Sequence, residues 1–371
     1  MSVAIRHELF HAEKHIVNHD IMHCTAEGVK GNHLYSGRAL GITAPGDIIQ
    51  LRSELKENWD SITAHYARVG LEHTSDVIWN VNMHHLGQFA GHSPSVFYFG
   101  PEQYINWGDH EWLSTTEYIN SKNNFIEIAK ETGVAIPKTL AFDSVTNIDD
   151  NVLSFIEFPC YLKAAVSVSG VGIYRCEDKQ ELLSAISRFH PGTPVQIQEE
   201  VVSKTFLNMQ YKVENGYAVR LACSEQILEG FVHQGNRYPA CCEPWGVVEP
   251  MAQWLVERNI KGIFAFDVAV VETAEGTKYK AIECNPRFNG ASYPTLIANK
   301  LGIKQWVSKT FTTSYRKLED IFIEHIEFKK HIGRGVILVN WGTVSEGKLM
   351  FIIAGNDMEK NYYEEELKRC L

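Results

Sequence analysis

Residues 263–290 read IFAFDVAVVETAEGTKYKAIECNPRFNG. The run Ile263–Val271 is apolar and β-branched, with one charge inside it, Asp267. Thr273-Ala274-Glu275-Gly276-Thr277 is a turn sequence. Lys278–Cys284 alternates again, and it leads into Asn285 and Arg287. The pattern predicts a β-hairpin. If the hairpin is symmetric about Glu275, Asp267 and Glu283 face each other, each eight residues away. Opposed residues hold their Cβ atoms about 4.5–5.5 Å apart. Asn285 keeps the face of Glu283, because side chains alternate along a strand. Phe264, Phe266, Val268 and Val270 form the core face, and Ala265, Asp267 and Ala269 form a small, acidic face. Two close carboxylates repel unless one is protonated or a cation lies between them. Two carboxylates and an amide are all-oxygen donors, which suit Mg²⁺ or Mn²⁺ over zinc. By itself, the spacing also fits an ordinary surface hairpin whose acids are solvated.

At 371 residues the chain suggests two or three domains. A net charge of −10 argues against nucleic acid or an anionic membrane as partner. The first residues, MSVAIRHELFHAEKH, have no apolar signal-peptide region, and no apolar run reaches membrane-spanning length. Eight scattered cysteines without a CxxC pair fit a reduced, cytoplasmic protein.

Residues 1–115 read as a small α/β unit. Asp76–Val81 and Ser95–Gly100 are expected strands, and Ser53–Val69 has a helical pattern. Met83-His84-His85 and His92 are more simply structural or solvated than metal ligands. Further on, Lys122 opens a helix, Asn123–Thr132, closed by Gly133. A helix N-terminus can hold an anion. Phe158–Ala165 is an apolar strand ending in Lys163. The small-residue loop Val166–Gly172 follows it, and its backbone N–H groups could wrap a phosphate. Glu177–Phe189 is a helix and Val195–Val202 a strand. Phe206–Val213 and Gly216–Cys223 form an antiparallel pair. Phe231–Pro239 reads as a polar loop, Met251–Arg258 and Tyr293–Lys300 as helices.

Taken in order, these pieces resemble the ATP-grasp superfamily over about residues 117–303. They are a lysine opening a helix, a strand-end lysine, a flexible small-residue loop, a Gln-Glu strand, and an acid paired with Glu283-Cys284-Asn285-Pro286-Arg287. The resemblance implies an α/β (α+β) ATP-grasp fold. It would comprise a Rossmann-like domain over 1–115, an ATP-grasp core over 116–303 with a lid at about 156–195, and a small C-terminal extension over 304–371. It also implies ATP and Mg²⁺ (or Mn²⁺) as cofactors. Lys122 and Lys163 would contact the phosphates. Ser169, Gly170 and Gly172 would lie in the lid loop. Gln198, Glu199 and Val201 would form the hinge, with the backbone of Glu199 and Val201 on the adenine edge. Asp267, Glu283 and Asn285 would hold the metal. Arg287 would face the γ-phosphate and the reacting carboxylate, with Lys163 as its catalytic companion.

Two features depart from the superfamily pattern. No acid follows the hinge for the ribose, and Ala265 stands where several ligases carry a basic residue. The missing basic group is expected from Arg220 or Arg237, Arg237 in particular contacting a substrate carboxylate. The tail carries a hairpin, Gly335–Trp341 with Leu349–Gly355, and a charged helix, Met358–Cys370. It resembles the tail of ligases that make small peptide natural products. The expected activity is ATP-dependent carboxylate–amine ligation of small substrates through an acyl phosphate, by a possible homodimer. The alternatives are a kinase-like ATP-grasp enzyme and a nucleotide-binding module without turnover.

Overall fold

The computed structural model describes residues 13–25, 29–84, 89, 91–167, 172–230 and 232–371. Three sheets organise them.

The first sheet contains β1 (His15–Asn18), β2 (Ile48–Gln50), β3 (Asp76–Ile78) and β4 (Ser93–Val96), all parallel, in the order β3-β2-β1-β4. That order is half of a doubly wound unit, as expected for residues 1–115. A 3-10 segment, Asn32–Ile42, connects β1 to β2, and α1 (Trp59–Val69) connects β2 to β3. The helical pattern expected over Ser53–Val69 is therefore a 3-10 turn, Ser53–Asn58, followed by α1. β2 and β3 extend the sheet on one side of β1, and β4 on the other, and a reversal of strand order of this kind opens a crevice at the carboxyl ends of β1 and β4.

Helices α2 (Pro101–Trp107), α3 (His110–Asn120) and α4 (Lys122–Thr132) follow. The expected boundary at residue 115 falls inside α3, so there is no linker at that point. Gly133 closes α4 at φ 71°.

The second sheet holds β5 (Thr139–Phe142), β6 (Cys160–Ala164), β7 (Ile173–Cys176) and β8 (Val195–Glu199) in the antiparallel order β5-β8-β6-β7. Helices α5 (Asp150–Ser154) and α6 (Lys179–Ile186) accompany it. This sheet includes the stretch expected as a lid, about residues 156–195, and extends it back to Thr139, because β5 pairs with β8.

The third sheet has eight strands: β9 (Thr205–Glu214), β10 (Tyr217–Glu229), β11 (Val232–Tyr238), β12 (Ile263–Thr273), β13 (Gly276–Asn285), β14 (Trp306–Thr312), β15 (Gly335–Asn340) and β16 (Lys348–Ala354). Their order is β13-β12-β9-β10-β11-β14-β16-β15. Helices α7 (Glu249–Val256), α8 (Ser292–Leu301) and α9 (Asp357–Cys370) pack on it or between it and the first sheet. The polar stretch expected as a loop near residues 231–239 is strand β11, whose rungs pair with β10 and β14.

The hairpin β12–β13 forms as expected, with one revision. Its turn has two central residues, Ala274 and Glu275, because Thr273 pairs with Gly276. Gly276 at φ 117° is suited to that tight reversal. This register alone would place Asp267 opposite Ile282. A β-bulge between Val268 and Asp267 absorbs Ile282, and Asp267 faces Glu283 after all. Bulges re-aim side chains in this way beside functional sites. On the other face, Phe264, Phe266 and Val268 are fully buried against Leu255, Met209 and Tyr211.

The tail is not an appendage. β14, β16 and β15 continue the sheet that carries the hairpin, and one core joins Val17, Leu40 and Ile62 to Val336, Trp341 and Phe351. Gly342 touches the Asn32–Ile42 segment so closely that an added Cβ would lie 2.6 Å from the Leu34 carbonyl oxygen. Trp306, Val336, Ile337, Val339, Trp341, Phe351, Ile352 and Ile353 are all essentially inaccessible. Each such side chain contributes about 1.5–3 kcal/mol by burial, against a net stability of about 5–15 kcal/mol. A chain ending at residue 303 is therefore expected to give no cooperative melting transition by circular dichroism. A cooperative transition would show that residues 304–371 are a detachable extension.

Candidate functional site

The acidic face of β12–β13 is the floor of the site. Asp267 and Glu283 face each other, and β9 brings Asn208 opposite Asp267 on the other side. Asn208 Nδ2 donates to Asp267 Oδ1 at 2.7 Å, and Asn285 Nδ2 donates to Asp267 Oδ2 at 3.2 Å. Arg287 Nη1 donates to Asn285 Oδ1 at 2.7 Å. The sequence pattern does not point to Asn208. Its signal is visible only when β9 is known to flank β12, since nothing local connects residue 208 to residue 267.

The lysines arrive from two other elements. Lys122 is the first residue of α4, and its Nζ lies 3.1 Å from Glu283 Oε2 and 3.2 Å from Ser167 Oγ. The backbone of Lys122 is tied to the residue that follows β6, its N–H donating to the Ala165 carbonyl at 2.7 Å. Lys163, near the end of β6, donates to Gln198 Oε1 at 2.7 Å. The helix-start lysine, the strand-end lysine and the paired acids thus converge as expected.

Charge coupling follows from this crowding. Desolvation, reinforced by Glu283, pushes the Asp267 carboxyl up to about 7. Burial would raise Glu283 as well, but Lys122, Lys163 and Arg287 outweigh it and hold that carboxyl below its usual range. Desolvation lowers the Lys163 ammonium to about 8, with Glu283 opposing the shift and Lys122 adding to it.

These residues fit a hard divalent cation. The carboxylates of Asp267 and Glu283 and the amide oxygen of Asn285 are oxygen donors on one face. Asn208 Oδ1 is buried without a partner beside them. Asp267 carries a raised carboxyl that a cation would return to the ionised form. Among the described residues no group of three or more His, Cys, Asp and Glu side chains is placed to hold a metal, and the donor set here includes amides. His85, part of the unsupported histidine group, lies outside the described residues.

The stretch expected as the hinge leaves two backbone groups open. Glu199 N–H donates to the Lys138 carbonyl at 2.9 Å. Lys138 N–H, however, goes to the Glu199 side chain, Oε1, at 2.9 Å. The Glu199 carbonyl is thereby left out of the β5–β8 ladder. The Val201 N–H has no hydrogen-bond partner among the described residues. Lys280 of β13 also reaches Glu199 Oε1, which ties β8 to the large sheet. Ser169 and Gly170 of the expected lid loop lie outside the described residues. Gly172 takes φ 75° at the start of β7.

The two candidate substrate arginines are not brought to the site. Arg220 pairs with Glu249 of α7 and stacks over Trp245, on the face of the sheet opposite Asp267. Arg237 is half-exposed and pairs with Glu225. Its neighbour Asn236 takes the inward position, bonding His233 and Ser224, so alternation turns Arg237 away. A cavity of about 460 Å³ adjoins the acidic face, and its lining includes Asp267, Glu283, Arg287 and Arg38. Arg38, from the 3-10 segment after β1, was not singled out in the sequence reading.

No family model matches this chain, and no curated protein matches it in sequence. Solved structures do match its shape. An N5-carboxyaminoimidazole synthetase from Staphylococcus aureus, complexed with ADP, superposes with a TM-score of 0.61 at 12% identity, over 97% of each chain. An L-amino acid ligase from Bacillus licheniformis gives 0.54 at 11% identity, over 97% of this chain and 98% of that one. A biotin carboxylase from Campylobacter jejuni, in a β-γ-ATP complex, gives 0.58 at 12% identity, over 87% and 84%. The chain has the ATP-grasp fold, matched along nearly its whole length.

The raised Asp267 carboxyl has a measurable consequence. A cation between the acids must displace the proton, so Mg²⁺ affinity should rise with pH up to about 7 and level off above it. Calorimetry at pH 6.5 in two buffers of different ionisation heat should show proton release on Mg²⁺ binding. In Glu283→Gln the release should shrink, because the neighbouring charge that helps raise Asp267 is gone. Mg²⁺ binding without proton release in the wild type would contradict the paired-acid site.

Proposed function

We propose that the protein is an ATP-dependent carboxylate–amine ligase that forms an amide or peptide bond between small substrates through an acyl phosphate. The observation that carries this reading is the convergence of Lys122, Lys163, Arg287 and the pair Asp267–Glu283 on one face beside a substrate-sized cavity. The likeness in shape to an L-amino acid ligase crystallised from Bacillus licheniformis agrees with it.

Phosphoryl transfer needs charge and position more than covalent help. Lys122 and Lys163 would neutralise the phosphates, entering from α4 and from the lid. The Glu199 carbonyl and Val201 N–H would bond the adenine edge. Asp267, Glu283 and Asn285, with Asn208 alongside, would hold Mg²⁺, which supplies charge neutralisation at the transferring phosphoryl group. Arg287, held by Asn285, would orient the substrate carboxylate towards the γ-phosphate. Attack by that carboxylate would give the acyl phosphate and ADP. The amine would then displace phosphate. Closure of the lid sheet over the cavity would keep water from hydrolysing the intermediate.

Incubation with ATP, Mg²⁺ and pools of carboxylic and amino acids tests the reading. ADP and phosphate should form in equal amounts, and only when a carboxylate and an amine are both present. Lys163→Ala or Glu283→Gln should lower that rate by about 10²–10³-fold, the usual cost of one electrostatic group, with melting curves unchanged. Phosphorylated product without any amine requirement would replace ligation with a kinase reaction. No nucleotide turnover in any pool would leave a binding module.

A further inference from the structure

Arg38 is buried, at 7% exposure, in the crevice at the carboxyl ends of β1 and β4. Three aromatic rings box its guanidinium. Its Cζ lies 4.3 Å from the centroid of Tyr293, 4.8 Å from Tyr35 and 4.9 Å from Phe97. Rings of this kind attract a cation but carry no formal charge to neutralise it. Among the described residues no carboxylate pairs with Arg38, and its Nε is buried without a hydrogen-bond partner. A buried, unneutralised charge is costly.

The box itself is rigidly made. Tyr293 OH meets His19 Nδ1 at 2.7 Å, and His19 Nε2 meets Ser95 Oγ at 3.2 Å. His19 is completely buried and stacks edge-on against Phe288 at 4.4 Å. Phe97, just after β4, and Tyr293 of α8, braced by His19 just after β1, thus hold one guanidinium in place.

Arg38 lines the same cavity as Arg287, and Phe97 joins the two, its centroid lying 5.8 Å from the Arg287 guanidinium carbon. The described acids on the cavity wall, Asp267 and Glu283, are both at the hairpin end. The Arg38 end is cationic, the lining also carries the neutral polar groups Asn32 and Asn289, and Asn289 Nδ2 is buried without a partner as well.

We propose that Arg38 is a specificity-determining residue that binds an anionic group, a carboxylate or a phosphate, on the substrate occupying the N-terminal end of this cavity. A guanidinium presents paired N–H donors that match either anion. The inference rests on the ligase reading for the identity of the cavity as a substrate site. On that reading the acceptor amine carries the anion, as an amino acid or an amine phosphate ester would. Arg38 holds this group away from Arg287 and the acids, and leaves the amine directed at the reacting carbonyl.

Direct binding to the full-length protein without nucleotide separates this inference from the ligase reading. Calorimetry would compare amino acids with the corresponding amino-acid amides, and amine phosphate esters with the dephosphorylated amines. At least one anionic compound should bind the wild type at least tenfold more tightly than its neutral counterpart. Whether the amino acids or the phosphate esters show that preference identifies the anion. Arg38→Met, which keeps an apolar chain among the rings, should abolish the preference. Arg38→Lys keeps the charge and guards against a simple folding defect; it should melt like the wild type and bind the anion with intermediate affinity. No preference in the wild type, or an undiminished preference in a folded Arg38→Met protein, overturns the inference. Arg38-dependent anion binding without any ATP turnover would overturn the ligase reading and leave the anion subsite standing.

Discussion

The whole arrangement depends on the facing of Asp267 and Glu283 across β12 and β13. Two carboxylates so close are unfavourable on their own, and the fold pays for them with charge drawn from elsewhere. Lys122, at the start of α4, reaches Glu283, and Arg287 is held by Asn285 at the end of the same strand. The result divides the labour: Glu283 stays ionised against the lysines, while Asp267, bonded by Asn208 and Asn285, keeps a raised carboxyl. A cation entering between them would complete the balance. The hairpin's opposite face is pressed into the core by Phe264, Phe266 and Val268, so the acids cannot turn away by a register slip without exposing those side chains.

The three sheets bring different side chains to that hairpin. The β5–β8–β6–β7 sheet carries Lys163 and Glu199, which diverts Lys138 N–H to its side chain and keeps its carbonyl out of the ladder. The parallel sheet opens its crevice between β1 and β4 and offers Arg38 there. The large sheet runs from the hairpin, through β11 with His233 and Asn236, to the C-terminal strands that share a core with the parallel sheet. The C-terminal strands thus pack directly against the Asn32–Ile42 segment that carries Arg38.

Much of this was legible in the sequence, for identifiable reasons. The hairpin, the strand-end Lys163, the helix-start Lys122 and the run from Glu283 to Arg287 are local patterns, and local patterns survive folding. The facing of Asp267 and Glu283 was expected correctly from an incorrect turn. A loop centred on Glu275 gives that pairing, whereas the real two-residue turn gives it only because Ile282 is bulged out. A bulge has no local signature, so arithmetic along one chain cannot find it. Arg220 and Arg237 are expected only as substitutes for the basic residue missing at Ala265. Strand alternation, with Asn236 inward, shows why Arg237 points away. Arg38, Asn208 and the continuity of β14–β16 with the hairpin sheet were not legible, because each depends on contacts between segments far apart in sequence.

The central claim is that a substrate carboxylate attacks ATP at this site. The direct test is to supply the carboxylic acid with ¹⁸O in its carboxyl group, together with ATP, Mg²⁺ and an amine, and to analyse the released phosphate by mass spectrometry. An acyl phosphate requires one ¹⁸O atom to pass from the carboxylate to phosphate for each bond formed. Unlabelled phosphate released alongside the amide product would contradict the account.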